Sequence, residues 1–232
     1  MPTSTILFVA GLNCTAELFA PQIAALSPDF ECRVADHTRG DTIAAIADAV
    51  LGEAPDRFAL CGLSLGGYIA LEMARRAPDR VERLALLSTQ ATPESDAARE
   101  KRLPRIALAE TGRFNEMTQA VWPEAVHPSR YGDAALRAVV SRMAEETGPQ
   151  TWLRHTQAVM ARPDARPTLS TLDVPTLVLV GAEDQITPPE RAREMVAAMP
   201  KARLVIVPQC GHMSTLERPD EVNAALRQWM VG

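Results

Sequence analysis

Three residues in this 232-residue chain have types and surroundings suited to chemistry: Ser64, Asp184 and His212. Ser64 stands in Gly62-Leu63-Ser64-Leu65-Gly66, after the apolar run Phe58-Ala-Leu-Cys61 and before Gly67-Tyr-Ile-Ala-Leu71. A strand, a Gly-x-Ser-x-Gly turn and a helix in that order make a nucleophile elbow, whose sharp turn strains the serine backbone and points its hydroxyl outward at the strand end. Small residues at Gly62 and Gly66 relieve the crowding of such a turn. A serine hydroxyl is a poor nucleophile at neutral pH, so it needs an imidazole to take its proton and a carboxylate to fix the imidazole tautomer. Asp184 follows the apolar run Thr176–Gly181, and His212 follows Leu204–Val207 on the next loop. Both therefore fall past the carboxyl ends of predicted strands, where sites form in open α/β sheets.

The rival readings of these residues are narrower. A phosphate-binding loop needs Gly-Lys-Ser/Thr where the chain has Gly66-Gly67-Tyr68, and a dinucleotide fingerprint needs a glycine where Ser64 stands. Glu183 is the fallback acid beside Asp184. The other histidines, His37, His127 and His155, have structural readings, as do Asp36, Asp173 and Asp220. Acyl chemistry also needs two main-chain donors for an oxyanion, each worth roughly 3–4 kcal/mol. The N–H of Leu65, at the start of the predicted helix, is one; the loop Ala10-Gly11-Leu12-Asn13 is placed to supply the other, from Leu12.

The elements that must hold these residues alternate. Strands are predicted at Ile6–Ala10, Cys32–Asp36, Arg57–Cys61, Leu84–Ser88, Thr176–Gly181 and Leu204–Val207. Helices are predicted at Ala16–Leu26, Thr42–Leu51, Ser64–Arg76, Pro189–Met199 and Asp220–Met230. Short Val/Ile/Leu runs between amphipathic stretches imply an α/β class, a mostly parallel sheet flanked by helices. Between Ala91 and Leu172 the rhythm breaks into helical periodicity without a strand, with helices predicted at Arg99–Glu110, Arg113–Val121, Ala134–Glu146 and Gln150–Ala161. The expected organisation is a core of residues 1–90 and 173–232 carrying a helical lid, 91–172. Trp122 and Trp152 in that lid are candidates to line a substrate pocket, against the plainer reading that they pack the lid. Arg113, Arg130 and Arg154 are its candidate cations, with a solvated surface as the alternative.

Composition bounds the function class. Hydrophobic residues make up 47% and charged residues 23%, which suits a globular protein, and the net charge of −5 offers no basic stripe for nucleic acid. No apolar run is long enough for a membrane span, and MPTSTILFVAGL has no basic segment before its apolar run, so a cytoplasmic protein is expected. Cys14, Cys32, Cys61 and Cys210 lack metal-binding spacing and read as buried thiols; no metal and no cofactor are expected.

With these residues assembled, the chain resembles the α/β-hydrolase superfamily, in particular its small bacterial lidded members, the carboxylesterases and 3-oxoadipate enol-lactonases. Ala74-Arg-Arg-Ala-Pro-Asp-Arg-Val81, Val174-Pro-Thr176 and Glu217-Arg-Pro-Asp-Glu-Val222 share in the resemblance as scaffold. Ala10-Gly11 departs from the His-Gly found in many relatives at the oxyanion loop. The resemblance implies a serine hydrolase of carboxylic esters or lactones, acting on a small molecule without a cofactor. Ser64 argues against the relatives that use an aspartate nucleophile. A C–C bond hydrolase, a thioesterase, an acyltransferase and a slow-turnover binding protein share the same triad and stay open, as does oligomeric state.

Overall fold

Ile6 and Phe8 of β1 (Thr5–Val9) turn to one side of the sheet and Leu7 and Val9 to the other, and all four are buried. Burial on both faces is what a strand covered by two layers of helix requires. The computed structural model describes residues 4–232; residues 1–3, the start of the segment MPTSTILFVAGL read above, lie outside the described residues. Six strands form one sheet in the order β2-β1-β3-β4-β5-β6, every pairing parallel: β1, β2 (Glu31–Val34), β3 (Phe58–Leu63), β4 (Val81–Leu87), β5 (Thr176–Gly181) and β6 (Ala202–Val207).

Helices α2 (Ile43–Glu53), α3 (Leu65–Arg76) and α8 (Pro189–Ala198) cover one face, through Ile46, Val50, Ile69, Met73 and Met195. Helices α1 (Ala20–Leu26) and α10 (Pro219–Val231) cover the other, through Leu26, Val222, Leu226 and Trp229. β3 and β5 are buried along their whole length, whereas the edge strand β2 alternates exposed and half-buried residues. Its outward Glu31 and Arg33 pair with each other at 2.6 Å, and charge of this kind discourages strand addition at a sheet edge.

The expected α/β class and all six strands are present, and their ends differ for identifiable reasons. β4 begins at Val81 and β6 at Ala202, earlier than hydrophobic runs suggest, because Arg83 and Arg203 lie in the strands while their guanidinium groups reach α10. Arg83 donates to Trp229 O at 2.8 Å and Arg203 to Ala225 O at 2.7 Å. A long cationic stem along an apolar surface hides a strand from a hydropathy reading. The predicted helix Ala16–Leu26 is two pieces, a 3-10 turn over Ala16–Phe19 and then α1, with Pro21 in the first turn of α1.

Between β4 and β5 there are only helices: α4 (Asp96–Glu110), α5 (Phe114–Ala125), α6 (Ala134–Met160) and α7 (Arg166–Leu169), with a 3-10 turn at Pro128–Arg130. The two helices predicted at Ala134–Glu146 and Gln150–Ala161 form one run, α6, kinked where Gly148 adopts φ 70° and ψ 161° before Pro149. These helices pack on one another through Ala109, Phe114, Met117, Ala144 and Trp152. A short helix, α9 (Ser214–Glu217), precedes α10. Among the described residues no helix is long and apolar enough to cross a membrane.

Candidate active site

Ser64 sits at the junction of β3 and α3 with φ 55° and ψ −115°, a conformation that costs a non-glycine residue about 1–3 kcal/mol and persists only when neighbours over-determine it. They do so here on both sides of the residue. Its N–H donates to Leu87 O at 3.0 Å, tying it to β4, while its carbonyl accepts from Thr89 Oγ1 at 2.9 Å and from Gly67 N at 2.9 Å. The glycines expected to relieve the turn are needed for backbone passage. A Cβ on Gly62 would lie 2.2 Å from Gly66 O, and one on Gly66 would lie 1.9 Å from Val9 O.

Asp184 and His212 come from the loops after β5 and β6, adjacent strands, and meet in the structure. His212 Nδ1 is 2.8 Å from Asp184 Oδ2 and 3.0 Å from Oδ1, with both side chains almost fully buried. Asp184 Oδ1 also accepts from the N–H groups of Ile186 and Thr187 at 2.9 Å, and Oδ2 from Thr187 Oγ1 at 2.9 Å. Burial pushes the Asp184 carboxyl up, but the adjacent imidazole and the Thr187 donors outweigh it and hold the group below its ordinary range. A carboxylate so held keeps His212 Nδ1 as a donor and leaves Nε2 free to accept a proton.

The loop carrying His212 is anchored at each successive N–H. Cys210 N donates to Glu183 Oε2 at 3.0 Å and Gly211 N to Glu217 Oε1 at 3.1 Å; His212 N and Met213 N both donate to Ala125 O at 3.1 Å. Glu217 Oε2 accepts from His127 N at 2.7 Å, so one buried carboxylate joins the histidine loop to the chain leaving α5. Glu183, the fallback acid, is thus a backbone acceptor for the histidine loop, and its exposed side chain leaves the imidazole to Asp184.

Ser64 and His212 open into one cavity of about 320 Å³, closed on its other side by α4, α5 and α6. Leu12 and Asn13 line it too. The turn holding them is closed by Cys14 N donating to Gly11 O at 3.2 Å, with Asn13 in the left-handed region at φ 64°. Leu65 heads α3 beside Ser64. Trp122 and Trp152 both line the cavity and both pack the helices as well: Trp122 Nε1 donates to Tyr131 O at 3.2 Å, and Trp152 meets the Phe114 ring edge-on. His37 and His155 lie elsewhere, stacked with ring centroids 5.2 Å apart.

The candidate cations Arg113, Arg130 and Arg154 do not line the cavity, in keeping with the alternative of surface arginines. Arg113 pairs with Glu116 and Arg130 with Asp133, while Arg154 donates to Thr38 O. The basic residues that line it are Lys101, Arg102 and Arg105 of α4. Sequence reasoning also missed Thr89, Thr187 and the bridging role of Glu217. Only Thr187 carried a local signal, the Asp-x-x-Thr spacing of a capped turn. Among the described residues no group of three or more His, Cys, Asp or Glu side chains is arranged to hold a metal.

Comparison with known proteins follows the same outline. The model of the alpha/beta hydrolase family matches residues 6–225. The chain is 32% identical over 195 residues to a pimeloyl-[acyl-carrier protein] methyl ester esterase of Aromatoleum aromaticum, covering 79% of this chain and 78% of that protein. It is 28% identical to a putative carbamate hydrolase of Agrobacterium fabrum, covering 98% and 93%. The solved enol-lactonase of Burkholderia xenovorans superposes with a TM-score of 0.91 at 28% identity, covering 100% of this chain and 93% of that one. A family match across nearly the whole chain, on a parallel sheet with an elbow serine, has one meaning: this chain belongs to the alpha/beta hydrolase family.

Proposed function

We propose that this protein hydrolyses a carboxylic ester or lactone through an acyl-enzyme on Ser64. The observation that carries the reading is the shared cavity. A strained serine and an imidazole locked at its far nitrogen by a buried carboxylate open into the same space. The esterase and enol-lactonase relatives support the same class.

In this mechanism His212 Nε2 takes the Ser64 proton as Oγ attacks the carbonyl carbon, and Asp184 stabilises the imidazolium that results. The carbonyl oxygen becomes an oxyanion held by the N–H groups of Leu12 and Leu65, the second favoured by the amino-terminal end of α3. Collapse breaks the bond to the leaving oxygen, which takes the proton from His212. Water then attacks the acyl-enzyme with His212 again as base, releasing the acid and restoring Ser64. The helices between β4 and β5 act as the lid that shapes the acyl site, with Trp122, Trp152, Met117 and Val121 as its apolar wall.

Hydrolysis of p-nitrophenyl esters from acetate to octanoate, by the wild type and by Ser64→Ala, tests this reading. Turnover by the wild type that falls to background in Ser64→Ala is expected, and the chain-length optimum sizes the acyl site. Turnover surviving the substitution would overturn the Ser64 mechanism. A folded wild type inert to every ester would favour the C–C hydrolase or binding-protein alternatives.

A further inference from the structure

His37 is the only buried residue of the loop between β2 and α2, residues 35–42. Its ring packs against α6, stacked on His155 with centroids 5.2 Å apart and planes 24° from parallel. α6 also grips the loop backbone: His155 Nε2 donates to His37 O at 3.0 Å and Arg154 Nη2 to Thr38 O at 3.2 Å. The carbonyls of Gly11 and Ala35 face the His37 ring. Gly11 O is also the acceptor that closes the turn carrying Leu12, through Cys14 N at 3.2 Å. One histidine of the loop thus meets both α6 and the turn that lines the cavity at Ser64.

This contact fixes the proton on His155. Nε2 has a carbonyl partner and so carries the hydrogen, which leaves Nδ1 as a bare acceptor. Nδ1 is buried without a hydrogen-bond partner among the described residues, and His155 as a whole is 1% exposed. A proton there would create a charged donor with nothing to accept from it, at a cost above the roughly 1–3 kcal/mol of a neutral orphan. The surrounding groups offer no relief. His37 on the loop and Arg154 on α6 oppose the charge. Asp36 favours it but is engaged by Thr38 N at 2.9 Å, Thr38 Oγ1 at 2.6 Å and Arg39 at 3.3 Å. Glu17, on the 3-10 turn before α1, is paired with Arg142. Cys14 and Glu146 complete the titratable groups along the groove at this seam. Burial, then the His37 charge, brings the His155 pKa down from 6.5 to about 4, and burial lowers that of His37 as well.

We infer that the stacked His37–His155 pair is an acid-released latch, which seats the 35–42 loop on α6 and on the turn carrying Leu12 while both rings are neutral. A proton on His155 Nδ1 can be accommodated only by water, so the loop lifts. The open form binds that proton as an ordinary imidazole does, with a pKa near 6.5 against about 4 in the latched form. Acid therefore favours opening, and the open population rises about twentyfold between pH 7 and pH 5. The latch itself is independent of the ester-hydrolase reading; only its consequence, a Leu12 donor left without support in acid, rests on it.

Amide relaxation dispersion across residues 36–41 and 151–156, with the histidine rings followed by NMR in the same samples, tests the latch without turnover. At pH 7 the His155 ring is expected as its Nε2–H tautomer. At pH 5 the minor open population should be about twentyfold larger, with the loop amides and the His37 and His155 rings sharing one exchange process. His155→Gln, which keeps a donor for His37 O, is expected to hold the loop closed at pH 5. The wild-type titration stands without the variant. An open population that does not rise between pH 7 and pH 5, an Nδ1–H tautomer at pH 7, or a rise as steep in His155→Gln would overturn the inference. The p-nitrophenyl ester comparison stands apart from it: Ser64-dependent turnover beside a loop that ignores pH would sink only the latch, and a working latch in a protein inert to every ester would sink only the hydrolase reading.

Discussion

Replacing Glu217 by Gln exchanges one acceptor oxygen for a donor nitrogen at the joint between the histidine loop and α5. The carboxylate accepts from Gly211 N at 3.1 Å and His127 N at 2.7 Å, one bond per oxygen, and the residue is 4% exposed. An amide keeps one acceptor and turns the other position into a donor facing an N–H. Turning an acceptor into a donor orphans a buried backbone N–H, which costs about 1–3 kcal/mol, or roughly 2–12 °C in Tm for a protein of this size. The cost depends on pH. Burial, outweighing the backbone donors, raises the Glu217 pKa above its ordinary 4.5. The folded protein therefore binds a proton that the unfolded chain has released, and the stability contributed by Glu217 is full below about pH 4.5 and declines as pH rises through the folded value. Thermal melts of wild type and Glu217→Gln at pH 4.5 and pH 8 should show the larger gap at the lower pH. The variant should lose kcat more than it gains KM, because the loop that loosens carries His212. A gap under about 0.5 kcal/mol, or one that widens with pH, would refute the reasoning.

Gly66→Ala places a Cβ 1.9 Å from Val9 O, a clash with backbone that no rotamer relieves. Destabilisation at or beyond the usual overpacking range of about 1–3 kcal/mol is expected in urea melts, together with loss of ester turnover. His155 is buried against His37, with Asp36 and Arg154 nearby, and burial followed by the His37 charge brings its pKa down from 6.5 to about 4. A base depressed in the fold stabilises it above the unfolded value and loses that contribution as pH falls, so wild-type stability should drop by roughly 2 kcal/mol between pH 7 and pH 5 from this group. His155→Gln keeps a donor for His37 O, which lies 3.0 Å from the ring nitrogen, and should flatten that slope in urea melts; an unchanged slope would place the acid sensitivity elsewhere.

The sequence is legible where a local pattern meets a strand end. Thr176–Gly181 is read to the residue because an unbroken apolar run with no long polar side chain coincides with a strand buried on both faces. β4 and β6 start earlier than their hydrophobic runs because Arg83 and Arg203 are strand residues whose charges are satisfied on α10, an interaction invisible until the layers are packed. The same distinction runs through the site. Ser64, Asp184 and His212 each follow a strand, so topology alone suggests their convergence, and the contact between Asp184 and His212 is observed. Thr89 and Glu217 are ordinary residue types whose work is to satisfy backbone groups far away in sequence. The helices between β4 and β5 are harder still. Most of α4 is at least partly exposed, so hydropathy does not tell which side meets the cavity, and Lys101, Arg102 and Arg105 look no different in the sequence from Arg113, Arg130 and Arg154.

The most direct test of the central claim is covalent capture of the nucleophile. Incubation with a fluorophosphonate, followed by intact and peptide mass analysis, should add one phosphonyl group at Ser64 in the wild type. Ser64→Ala should stay unlabelled, and Asp184→Asn should label far more slowly, because His212 loses the partner that fixes its tautomer. Labelling at another residue, or none in a folded wild-type protein, would contradict the account.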